Sequence, residues 1–153
     1  MPEAEIKLDN LSKCLEEAYL LYFNTRKDIK LNLIKPENDI YFHFDTLQIS
    51  RCFGNLIKNA IEAVEKIPNP AVEVLLATDD KNIIIEIKDN GVGIDEKMLS
   101  KIFEPYFTTK TKGTGLGLSI VKRIIEDHGG KIKIEKNKNM AGTTSLINFE
   151  YNV

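Results

Sequence analysis

Residues 55–63 read Asn55-Leu56-Ile57-Lys58-Asn59-Ala60-Ile61-Glu62-Ala63, inside a helical stripe formed by Phe53, Leu56, Ile57, Ala60, Ile61 and Val64. Asp45 stands before the stripe as an N-cap, and Pro68 ends it. Asn55 and Asn59 are four apart and Glu62 three further along, so these side chains share one face, away from much of the stripe. Asparagine is a poor helix former because its amide competes for backbone hydrogen bonds. Two of them one turn apart are either a solvated surface or a working one, and the helix alone gives both readings equal weight. An amide oxygen is a hard neutral ligand, suited to a Mg²⁺ that keeps waters and takes its other oxygens from phosphate.

Upstream, Asn10 or Ser12 can cap a first helix with Leu11, Cys14, Leu15, Ala18 and Tyr22 at helical spacing. Ile29, Leu31 and Leu33, then Ile40 to Phe44, alternate as two strands near a sheet edge. Downstream, Val72 to Ala77 and Ile83 to Ile87 are β-branched-rich runs joined by a polar turn, an antiparallel hairpin. A long connection rich in Gly, Thr and Lys runs from Asp89 to Gly117, with a short helix near Glu96 to Ile102. A third helix buries Leu118, Val121, Ile124 and Ile125 and ends at Gly129-Gly130, and Lys131 to Glu135 and Thr144 to Phe149 close the sheet. This order predicts an α+β two-layer sandwich, a mixed and mostly antiparallel sheet with three main helices on one face.

Composition sets the outer limits. The 153 residues suit one domain with one core, and 42% hydrophobic with 29% charged residues is ordinary for a globular protein. A net charge of -2 with no run of one sign argues against nucleic acid and against a polybasic membrane patch. Cys14 and Cys52 have no CxxC spacing and read as core thiols of a reduced, intracellular protein. No apolar run is long enough to span a bilayer, so membrane contact is not encoded in this segment.

Two further stretches carry chemistry. Asp89-Asn90-Gly91-Val92-Gly93 follows a buried strand, and its glycines let the backbone pass close to a flat ligand. Asp89 there can accept a hydrogen bond from an exocyclic amine and so prefer adenine to guanine, or it is simply a turn former. Gly113-Thr114-Gly115-Leu116-Gly117-Leu118 opens the third helix, where free N–H groups and the positive helix end favour phosphate. The spacing is neither a Rossmann fingerprint nor a Walker loop. Lys110 and Lys112 lie just upstream, where they can neutralise phosphate or remain solvated, the second being the better reading of Lys112.

In order and spacing these stretches resemble the catalytic ATP-binding domain of two-component histidine kinases. Asn55 to Ala63 is similar to the N box, Asp89 to Gly93 to the G1 box, Phe103-Glu104-Pro105-Tyr106-Phe107 to the F box and Gly113 to Leu118 to the G2 box. The resemblance covers nearly the whole chain and implies the Bergerat fold, with ATP and Mg²⁺ as cofactors and a lid over the nucleotide. It assigns Mg²⁺ to Asn59 with Asn55, adenine to Asp89, and the lining of the base to Gly91, Gly93 and Thr143. It adds Ile94, Phe103, Thr109 and Lys110, with Gly113, Thr114, Gly115, Leu116, Gly117 and Leu118, to the nucleotide contacts. Asn55, Asn59, Glu62 and Lys110 form its catalytic set.

Two departures from the wider fold matter. ATPases of this fold carry a general-base glutamate one turn before the metal-binding asparagine, where this chain has Asn55, and an amide cannot take a proton from water. The phosphoacceptor is the other. His43 lies in an alternating segment and His128 at a helix C-terminus, where positive charge is favoured, so both read as structural. Residues 1–153 are therefore expected to be one catalytic domain, with the histidine-bearing dimerisation domain of the same kinase outside this sequence. The expected function is phosphotransfer from Mg²⁺-ATP to that histidine and onward to a cognate response regulator. It would operate in the cytoplasm, as a soluble kinase or as the cytosolic part of a membrane-bound sensor. The alternatives are an anti-sigma-factor-like serine kinase, disfavoured by Phe103 to Phe107, and a noncatalytic ATP-gated interaction module.

Overall fold

The structure is a computed structural model, and it describes residues 3–107 and 117–151. In chain order the elements are β1 (Lys7–Asn10), α1 (Leu11–Phe23), β2 (Lys30–Ile34), β3 (Tyr41–Phe44), α2 (Thr46–Val64), β4 (Ala71–Thr78), β5 (Asn82–Asp89), α3 (Glu96–Leu99), α4 (Gly117–Asp127), β6 (Gly130–Lys136) and β7 (Thr143–Glu150). Of the two candidate caps for α1, Asn10 is the one used, its Oδ1 accepting from the Lys13 N–H at 2.9 Å. Ser12 instead accepts the Ile40 N–H at 2.8 Å, tying α1 to the strand it packs beside. Asp45 caps α2 as expected, with Oδ1 2.9 Å from the Gln48 N–H.

Five strands form the main sheet in the order β2-β4-β5-β7-β6. β2 runs parallel to β4, and every other neighbouring pair is antiparallel. β1 was not foreseen. It pairs with β3 as a separate ribbon, in register Lys7 with Phe44, and Leu8 is its single strongly apolar residue. α3 is shorter than its expected span to Ile102, because Ser100 ends it and Lys101 to Phe107 continue as turns.

Period-two alternation turns Val72, Val74 and Leu76 of β4 and Ile83, Ile85 and Ile87 of β5 to one side of the sheet, where they meet the helices. α2 supplies Phe53, Leu56, Ile57, Ala60, Ile61 and Val64, and α4 supplies Val121, Ile124 and Ile125, all in the same cluster. Each such side chain contributes about 1.5–3 kcal/mol when fully buried, so this layer contact fixes α2 and α4 over the sheet. Cys14 and Cys52 are buried free thiols pushed up to about 12 by desolvation, so neither is a nucleophile at neutral pH.

Candidate nucleotide site

β5 ends in a carboxylate that is almost out of solvent. Asp89 is 6% exposed, and its Oδ1 accepts the backbone N–H of Gly91 at 2.9 Å and of Thr143 at 3.3 Å. Burial pushes its pKa up, and the two N–H groups offset part of that shift. A carboxylate held this way is costly to the fold, which points to a ligand donor as its reason.

The turn after Asp89 lies against the C-terminal end of α2. A Cβ on Gly91 would sit 2.4 Å from the carbonyl oxygen and 2.8 Å from the carbonyl carbon of Ala63, so helix backbone occupies the space a side chain needs. Ala63 directly follows Glu62 and is one turn from Asn59, so this contact sets the Asp89 turn relative to the polar face of α2. On the other side, Gly142 has φ +106°, and a Cβ there would meet the Asp89 carbonyl oxygen at 2.0 Å. Gly93 lies beside it, with the Gly142 carbonyl 3.7 Å from where its own Cβ would be.

The start of α4 closes the third side. The Asn55 Oδ1 lies 3.3 Å from the position of a Cβ on Gly117, so one of the two asparagines faces the helix entrance. The first N–H groups of that helix have no intrahelical acceptor and are presented there. Asn55, Asn59 and Glu62 are each half-buried along α2, and Leu118 packs partly against the core. The charge of Glu62 reaches Tyr22 of α1, whose phenol pKa is raised by burial first and by Glu62 second. Ile94 and Phe103 are half-buried, and the Lys122 ammonium sits 5.2 Å from the centroid of the Phe103 ring. Thr109, Lys110, Lys112, Gly113, Thr114, Gly115 and Leu116 lie outside the described residues.

Sequence signals from positions 89–93 and 117–118 thus both lie against the 55–63 helix, at Ala63 and at Asn55, with Thr143 of β7 reaching Asp89 from the neighbouring strand. Among the described residues no group of three or more His, Cys, Asp or Glu side chains could hold a metal ion. The donor set is instead neutral amide oxygen, which fits a Mg²⁺ that brings phosphate oxygens with it and not a fully protein-ligated ion.

Sequence reading passed over the residues that hold these pieces in place. Asn90 ties the turn to the α2–β4 loop, accepting from the Ala71 N–H and donating to the Asn69 carbonyl, each at 2.9 Å. Lys122 of α4, outside every motif, stands over the Phe103 ring.

Residues 44–152 match the family described as histidine kinase-, DNA gyrase B-, and HSP90-like ATPase. The chain belongs to this family. It is 40% identical over 143 residues to sporulation kinase A of Bacillus subtilis (strain 168), covering 92% of this chain and 23% of that protein. Over 146 residues it is 34% identical to the sensor protein FixL of Bradyrhizobium diazoefficiens, covering 92% of this chain and 28% of that protein. The chain therefore spans about a quarter of the length of these curated relatives. The catalytic domain of histidine kinase ThkA superposes with a TM-score of 0.84 at 34% identity over 95% of each chain. ThkA in complex with the response regulator protein TrrA gives 0.82 at 28% identity, covering 97% of this chain and 42% of that one. Sequence and fold are those of the ATP-binding domain of a sensor histidine kinase. Among the described residues no helix is long and apolar enough to cross a membrane.

Proposed function

We propose that this domain binds ATP with Mg²⁺ and delivers the γ-phosphate to a histidine on a separate dimerisation domain of the same kinase, from which a response regulator is charged. The observation that carries this reading is the buried Asp89 carboxylate, held by the Gly91 and Thr143 N–H groups above a glycine turn that rests on α2. Both of those hydrogen bonds fall on Oδ1. Oδ2 accepts from the adenine amine, and the carbonyl at the same place in guanine is repelled. Gly91, Gly93, Ile94 and Thr143 line the base.

Asn59, with Asn55, takes the Mg²⁺, which neutralises phosphate charge and fixes the transferred group in line. The first turn of α4, at Gly117 and Leu118, receives the phosphate end, joined by Thr109, Lys110 and Gly113 to Leu116. Phe103 packs beneath the Lys122 ammonium of α4. Glu62, which shares its field with Tyr22 of α1, supports this face and is not a base for water. With an amide at position 55 the site holds ATP without activating water, so the phosphoryl group waits for the histidine. The domain works in the cytoplasm. It is a single catalytic unit over residues 1–153.

Radiolabelled ATP, Mg²⁺ and a histidine-bearing hairpin domain supplied at high concentration should give a labelled hairpin whose label is lost in acid, the behaviour of phosphohistidine. Acid-stable label on a serine of an anti-anti-sigma protein would instead make this a serine kinase. ATP binding with no acceptor labelled would make it a gated interaction module.

A further inference from the structure

The turn between β6 and β7 is fastened to the end of β5 by one side chain, Asn137. Its Nδ2 donates to the Asp89 carbonyl oxygen at 2.7 Å and to the Ala141 carbonyl at 3.0 Å. Its Oδ1 accepts the Thr144 hydroxyl at 2.5 Å, and its backbone N–H donates to the Gly142 carbonyl at 3.0 Å. The amide orientation is fixed by chemistry: the two carbonyls can only accept, so the nitrogen faces them, and the hydroxyl proton goes to the oxygen. Asn137 thus engages Asp89 at its main chain while Gly142 fills the gap beneath, where even a Cβ would overlap the same carbonyl.

Thr143 follows Gly142, and its N–H is one of the two donors that orient the Asp89 carboxylate. We infer that Asn137 is a positioning residue for purine selection: by clamping the β6–β7 turn to the Asp89 main chain, it holds the Thr143 N–H against Oδ1 and aims Oδ2 at the 6-amino group of the base. This rests on the proposed adenine contact of Asp89. Asn137 itself touches no base. Asn137 leaves the phosphate end untouched, because neither α2 nor α4 is among its hydrogen-bond partners.

The test compares ATP with purine riboside triphosphate, which lacks only the 6-amino group, by titration calorimetry with Mg²⁺. Wild type should favour ATP, and Asp89→Asn should remove most of that preference. Asn137→Asp keeps the size and the Thr144 contact but turns an acceptor toward two carbonyls. It should weaken ATP by about tenfold, the scale of one or two hydrogen bonds, and move the analogue by less than about twofold. In the Asp89→Asn background the same change should add almost nothing. Thr144→Val, which frees the amide to rotate, should shift the ratio the same way, and Thr144→Ser should restore it. Equal weakening of both nucleotides, or an unchanged ratio in a folded Asn137→Asp protein, overturns the inference and leaves the Asp89 assignment standing. A wild type that does not distinguish the two nucleotides overturns both.

Discussion

The backbone N–H of Asp45 donates to Nε2 of His128 at 3.0 Å, and Nδ1 of the same ring lies 2.7 Å from the Ile124 carbonyl oxygen. With Nε2 accepting from Asp45, Nδ1 is the ring nitrogen that donates to the Ile124 carbonyl. One ring joins the C-terminus of α4 to the N-cap of α2, the two helices that meet at Gly117 and Asn55. His128→Ala should lower unfolding free energy by about 1–3 kcal/mol, because it leaves the Asp45 N–H without its acceptor. Urea denaturation reads this directly, and a midpoint equal to wild type would show the link to be idle.

Asp45 and Asp89 should respond to acid in opposite senses. Asp45 accepts the N–H groups of Gln48 and Glu5, which lower its pKa below the ordinary 3.8. It contributes stability above that value and loses it as pH falls through the folded pKa. Asp45→Ala should cost about 1 kcal/mol near neutral pH, as lost caps do, and progressively less in acid. Asp89 is raised from 3.8 by burial, so its charged form opposes folding above its folded pKa and stops doing so below 3.8.

Asp89→Asn should therefore melt at or above the wild-type temperature at pH 7 while losing ATP affinity. The gap in melting temperature should close as pH falls toward 4. Melting curves at several pH values check this, and a variant less stable than wild type at pH 7 would contradict the assigned burial cost.

Two glycines on or against α2 should behave in contrasting ways when given a methyl group. Gly91→Ala forces a carbon to 2.4 Å from the Ala63 carbonyl oxygen, so backbone must move and both stability and nucleotide affinity should fall. At Gly54, inside α2, a Cβ meets nothing within 4 Å. Gly54→Ala should add about 0.5–1 kcal/mol through helix propensity and leave affinity unchanged. Equal effects of the two substitutions would remove close packing as the reason for Gly91.

Asn59→Ala should weaken ATP binding far more in Mg²⁺ than in EDTA, since a neutral amide oxygen matters to a cation and little to the base. Equal loss in both conditions would take Asn59 out of the metal assignment.

The stripes of α2 and α4 and the alternation of β4 and β5 were legible because each element buries a face whose period is written locally. Phe53 to Val64 and Ile83 to Ile87 needed no partner to be recognised. β1 was not legible, since Lys7–Asn10 become a strand only through pairing with β3. The parallel placement of β2 beside β4 was equally hidden, being a contact between distant segments. At the candidate site, Asn55, Asn59, Asp89 and Gly117 drew attention in the sequence as nucleotide-contact candidates, but the residues that hold them in place did not. Gly91 reads as a turn glycine until Ala63 is seen against it, and Asn137 reads as a loop asparagine until the Asp89 carbonyl is seen above it.

β7 follows both β5 and β6 in sequence, yet it lies between them in the sheet, with Asn82 opposite Glu150. During synthesis β5 and β6 emerge first with no bond between them, and the strand that joins them arrives after both. Thr143, which completes the cradle around Asp89, is its first residue. A nascent chain stopped before it has two open strand edges and an unoriented carboxylate, both hazards for a partly folded protein. Closure of the sheet and orientation of the Asp89 carboxylate should therefore arrive together, as one cooperative event and not as a gradual ripening.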